Sequence, residues 1–112
     1  MPNEILSLGL PEETVNVIAG YLCARIYAAR SLSELVDMLD SHDVCCIVVN
    51  SSACPSPAED VTALLGHTPL TTRIVLLYDT RADIDLGLLR SMGIKTLASP
   101  CNVDDLVEKL RR

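Results

Sequence analysis

Apolar and polar positions follow one another along this chain in a motif that recurs five times: a short apolar run, a punctuating residue, then apolar residues three and four apart. The run at 5–10 is too short for a helix and stops at Pro11, whose ring has no N–H to donate, so it predicts a buried strand. Pro11 suits the first turn of a helix, and Glu12 and Glu13 complement its positive end. Val15, Ile18, Ala19 and Leu22 then recur at i, i+3, i+4 and i+7.

The second strand, 24–28, is the least apolar and belongs at a sheet edge. Ser31 and Glu34 have the spacing of a capping box ahead of the stripe Leu32, Leu35, Val36, Leu39. The run at 44–49 is continuously apolar and β-branched, the mark of a central strand covered on both faces. Ser56 and Glu59 repeat the capping box around Pro57 and open a helix closing at Gly66. A fourth strand is predicted at 74–77. Asp83 is the candidate cap of a helix carrying Ile84, Leu88, Leu89 and Met92, with Gly93 as its left-handed terminator. A fifth strand at 94–98 precedes a last helix capped by Asn102, with Val103, Leu106, Val107 and Leu110 on one side.

Strand and helix pairs joined by short links mean a parallel sheet between two layers of helices, because each crossover returns right-handed to the same sheet. The expected fold is a single α/β domain over 1–112, a doubly wound, flavodoxin-like five-stranded sheet of order 2-1-3-4-5. Its ligand crevice lies outside the carboxyl ends of the strands where the order reverses. Leu8, Gly9 and Leu10 after the first strand should line it, with Asn50, Ser51 and Ser52 after the third and Tyr78, Asp79 and Ser99 after the last two.

Composition narrows the function. The chain is 49% hydrophobic over 112 residues, enough aliphatic material for a core. With no Phe or Trp, three Tyr and a formal charge of −6, it is a poor match to a nucleic acid, which needs stacking rings and cations. Residues 1–56 hold two cations and seven acids, and 57–112 hold seven cations and eight acids, so a charge-paired contact surface is expected late in the chain. No apolar run reaches the roughly 18 residues that span a bilayer. The opening Met1-Pro2-Asn3-Glu4 lacks the basic segment of a secretory signal, so a cytoplasmic location is expected. Five cysteines without C-x-x-C spacing argue against a disulfide framework or a structural zinc site, and Cys23, Cys45 and Cys46 are read as small core residues.

Three segments give this frame a family likeness. Asp43-Val-Cys-Cys-Ile-Val-Val-Asn-Ser-Ser-Ala-Cys-Pro55, Met92-Gly93 and Ser99-Pro100 together resemble the response-regulator receiver family, the CheY-like domains of two-component signalling, over nearly the whole chain. The resemblance implies a site of two acids after the first strand that hold Mg²⁺, an acceptor Asp at the third, a Thr or Ser after the fourth and a Lys after the fifth. Here Leu8, Gly9 and Leu10 stand where the acids would be, Ser51 at the acceptor counted back from Pro55, Tyr78, or Leu77 if the register slips by one, at the Thr or Ser, and Ser99 before Pro100 at the Lys. A serine hydroxyl cannot form an acyl phosphate, and no hard oxygen ligands remain for Mg²⁺. The pattern resembles the pseudo-receivers, which keep the fold and signal without aspartyl phosphorylation, with no metal and no cofactor.

In that family the surface of the fourth helix, fifth strand and fifth helix mediates dimerisation or output contacts. Here it carries Asp85, Arg90, Lys95, Asp104, Asp105, Glu108, Lys109 and Arg111, so a protein partner or a second copy is expected there, against the plainer reading of a solvated face. Receivers usually precede an output domain, and one fused after residue 112 is expected. Other readings stay open. Ser51 as a nucleophile lacks an activating base, since His42 and His67 fall on the opposite edge of the sheet. Asp79 reads as a solvated loop charge, and Cys54 with Cys101 as a redox pair would be unusual in a reducing compartment. A small enzyme or ligand-binding domain using the same crevice is the alternative to a non-enzymatic signalling module.

Overall fold

The computed structural model describes residues 4–69, 71–81, 83–99 and 102–111. Five strands, β1 (Glu4–Leu8), β2 (Arg25–Ala29), β3 (Cys46–Asn50), β4 (Arg73–Asp79) and β5 (Lys95–Ser99), alternate with helices α1 (Glu12–Leu22), α2 (Leu32–Ser41), α3 (Pro57–Gly66), α4 (Leu86–Ser91) and α5 (Val103–Arg111). The strands form one parallel sheet in the order β2-β1-β3-β4-β5, as the repeat predicted, with β2 at an edge. None of the described helices is long and apolar enough to cross a membrane.

The core lies on both faces of the sheet and follows from the period of two along each strand. In β3, Cys46 and Val48 face one layer and Ile47 and Val49 the other. Ile5, Cys46, Val48, Val75 and Leu77 pack against Ile18 of α1 and Leu106, Val107 and Leu110 of α5. Leu6, Leu8, Ile47, Val49, Ile74 and Leu76 pack against Leu35, Val61, Leu64 and Leu89 of α2, α3 and α4. Burial and the neighbouring Cys45 push the Cys46 thiol up to about 12, so it is an inert packing group.

Local capping explains most helix starts. Ser31 Oγ accepts from the Glu34 N–H at 3.2 Å, and Asn102 Oδ1 accepts from the Asp105 N–H at 2.8 Å. Gly93 takes φ +87° just past α4, a conformation that favours glycine. Three local expectations are corrected. Ser56 makes no side-chain cap; its N–H donates to Asp60 Oδ2 at 3.2 Å, so the acid one residue beyond Glu59 closes that turn. Asp85, not Asp83, caps α4, its Oδ1 accepting from the Leu88 N–H at 3.0 Å. The helix is six residues long as a result, and Ile84 reaches the core from the preceding loop. Cys23 is exposed rather than a core residue, because it ends α1 in the left-handed region with φ 51°. Cys45 is half-buried and Cys46 is fully buried, in keeping with their expected core role.

Candidate functional site

The sheet order reverses between β1 and β3, and the loops after β1, β3, β4 and β5 meet at the carboxyl edge there. Asn50 ends β3. Its Oδ1 accepts from the Ser52 N–H at 3.1 Å and the Ser52 hydroxyl at 3.0 Å, which winds residues Ser51–Ala53 into a single 3₁₀ turn. Ser51 opens that turn and is buried. No His, Lys or carboxylate hydrogen-bonds to it among the described residues. His42 and His67 terminate α2 and α3 at the amino edge of the sheet, where His42 Nδ1 lies 3.4 Å from Glu4 Oε2 and its ring stacks at 4.4 Å on Tyr27.

Gly9 shows why this edge is tight. Its φ is +82°, and a Cβ there would sit 2.8 Å from Ala53 Cβ and 3.1 Å from Asn50 Cβ. The loop after β1 therefore lies against the turn after β3, leaving no room at residue 9 for a side chain. Leu8 is in the core beside Leu6 and Val49 rather than in the crevice, because strand alternation turns it toward the α2 and α3 layer.

Asn50 and Ser99 together separate two hollows. The smaller, about 180 Å³, lies between the first turns of α1 and α5, with an apolar wall of Leu10, Pro11, Leu77, Val103 and Leu106 and a polar rim of Thr14, Asn50, Ser99 and Asn102. The larger, about 520 Å³, is bordered by Ser51, Ser52, Asp79, Thr80 and Arg81 as well. Tyr78 is half-buried and borders neither of these two hollows. Pro100 and Cys101 lie outside the described residues. Cys54 is buried, and burial with the nearby Asp60 carboxylate raises its thiol pKa, which opposes thiolate chemistry there.

Asp79 is not an isolated loop charge. Arg81 Nε donates to its Oδ1 at 3.2 Å and an Arg81 terminal nitrogen to Oδ2 at 3.0 Å, while the Arg81 N–H bonds Oδ1 at 2.9 Å. Hydrogen bonds from the Arg81 side chain and backbone hold the carboxyl below its ordinary value. Sequence reasoning missed Arg81 and Thr80. The signal was the Asp-x-Arg spacing directly after a buried strand, which lets a guanidinium fold back over the turn. No group of three or more His, Cys, Asp or Glu that could hold a metal ion occurs among the described residues.

The late surface is assembled differently. Arg90 leaves α4 and its Nε donates to the buried Thr96 Oγ1 of β5 at 2.9 Å. Asp85 is committed to its cap, Lys95 and Lys109 are half-buried, and Asp104, Asp105 and Glu108 are exposed along α5. Arg111 ends α5.

Neither a protein-family model nor a curated protein matches the sequence. Solved structures do. The receiver domain of the TMAO respiratory-system response regulator TorR superposes with a TM-score of 0.78 at 17% identity, covering 98% of this chain and 94% of that one. A CheY-like receiver domain protein from Methanospirillum hungatei gives 0.73 at 16% identity, covering 98% and 92%. The lysine decarboxylase LdcF of Francisella novicida gives 0.71 at 14% identity over 99% of this chain, which spans 17% of that enzyme. At such identities the likeness is one of fold, and the fold is the CheY-like, flavodoxin-like α/β sandwich.

Proposed function

We propose that this chain is a receiver-like signalling module that works without aspartyl phosphorylation, a pseudo-receiver that is non-enzymatic, cytoplasmic and active through protein contacts. The observation that carries the reading is the crevice itself: where phosphoryl chemistry needs clustered acids, this edge offers amides and hydroxyls, and its carboxylate Asp79 is held by Arg81. Ser51 at the acceptor count carries a hydroxyl and no carboxyl, so it cannot form an acyl phosphate, and the close approach of Gly9 to Ala53 takes the space of a metal-binding acid. Ser99 in place of a Lys removes the cation that would answer an added phosphoryl group. Signal transfer is assigned to the face of Asp85, Arg90, Lys95, Asp104, Asp105, Glu108 and Lys109, whose mixed charges suit a protein partner, a second copy or an output domain fused after residue 112.

The test is an amide NMR titration with Mg²⁺ and beryllofluoride, a phosphoryl mimic. The expected outcome is no saturable shift at Ser51, Asp79 or Ser99. Saturable shifts there would overturn the reading.

A further inference from the structure

We propose that the smaller hollow binds an uncharged, short aliphatic carbonyl compound, such as a primary amide or a ketone. This rests on the reading above and names the kind of signal the same edge takes in place of phosphoryl transfer.

The argument starts from the two asparagines. Asn50 Oδ1 is occupied by Ser52, and Asn102 Oδ1 caps α5 through the Asp105 N–H. Only an oxygen can accept those bonds, so both amides are fixed in orientation, and each leaves its NH₂ without an acceptor among the described residues. Both residues border the same hollow, as do Thr14 and Ser99, each with a hydroxyl. Among the described residues the rim is therefore rich in donors and carries no carboxylate, which calls for a ligand carrying a carbonyl oxygen.

Charge decides between a neutral carbonyl and a carboxylate. Glu12 and Glu13 stand in the first turn of α1, and Asp104 and Asp105 in the first turn of α5, so each helix that borders the hollow begins with two acids, although none of the four lines it. They already match the positive helix ends and oppose an incoming anion. The remaining wall is aliphatic, formed by Leu10, Leu77, Val103 and Leu106, which asks for a hydrocarbon body. At about 180 Å³ the hollow falls below the roughly 300 Å³ of drug-sized pockets, so the ligand is small, on the order of ten non-hydrogen atoms.

The experiment titrates the chain with 3-methylbutanamide and, separately, 3-methylbutanoate, following the side-chain NH₂ signals of Asn50 and Asn102. The amide is expected to give saturable shifts at both, with the carboxylate bound at least ~10-fold more weakly. Asn102→Asp keeps an oxygen for the α5 cap but replaces the donor by an acceptor. It should retain the wild-type unfolding midpoint and lose ~10-fold or more in amide affinity. Asn50→Asp applies the same logic to the other side of the rim. No saturation by the amide up to ~50 mM, equal or tighter binding of the carboxylate, or undiminished amide binding by both variants would each overturn the proposal. The beryllofluoride titration is a separate measurement on a different ligand, so failure of the pseudo-receiver reading and failure of this one are told apart.

Discussion

The crevice at the carboxyl ends of the strands and the face of α4, β5 and α5 are both polar, but they spend their hydrogen bonds over different distances along the chain. In the crevice the bonds close within one loop: Asn50 to Ser52 and Asp79 to Arg81 are each two residues apart. On the late face the Arg90 to Thr96 bond spans six residues and ties a helix to a strand. Short-range closure makes each loop self-sufficient, so its conformation does not need an ion or phosphoryl group to complete it. A bond between elements instead couples their relative position, the property a contact surface can pass to a partner.

The largest expected effect that would break this contrast is at Gly9. Gly9→Asp should lower the urea unfolding free energy by about 2 kcal/mol, since it forces a side chain into a left-handed position against Ala53. Added Mg²⁺ should restore none of that loss. Recovery with Mg²⁺ would show that the loop can open into an acidic metal site. Arg90→Ala comes next, at about 1 kcal/mol in the same assay, because the buried Thr96 hydroxyl loses its partner. Amide shifts in that variant should spread through α4 and β5; shifts confined to residue 90 would mean that the bond couples nothing. The smallest effect is at Asp79, whose carboxyl is half-exposed at 47% and whose partner guanidinium is 89% exposed. Its lowered value means that its contribution is complete above the ordinary carboxylate value of 3.8 and fades as the pH falls through the lowered one. Thermal midpoints measured from neutral pH downward should show that acid loss shrinking in high salt and disappearing in Asp79→Asn. An acid loss unchanged in the variant would place its origin elsewhere.

Most of the fold was legible because its signals are local. Capping by Ser31 and Asn102 involves an N–H three residues ahead, and continuous apolar runs mark strands wherever they lie. Choosing between Asp83 and Asp85 failed for the same reason: both satisfy the local rule, and only the path of the loop brings Asp85 to the Leu88 N–H. The candidate site was harder to read. A run such as 5–10 is apolar on both sides, so nothing in it says whether Leu8 faces the crevice or the core, and the structure puts it in the core. Counting back from Pro55 singled out Ser51, yet it is Asn50, the last residue of β3, that borders both hollows together with Ser99, while Ser51 in the 3₁₀ turn borders one. Arg81 carried one short-range signal, its place two residues after Asp79, and only the turn shows that its guanidinium folds back onto that carboxylate.

The pairing of α1 with α5 has a kinetic consequence. Ile5 and Ile18, near the beginning of the sequence, are covered in part by Leu106, Val107 and Leu110 at its far end. One face of the sheet therefore stays unsealed until α5 has been synthesised, whereas the opposite face can be covered earlier by α2 and α3. Closing that long loop is an entropic cost met late, so assembly of this layer should set the pace of folding, and chains halted before α5 would display an aliphatic surface prone to aggregation.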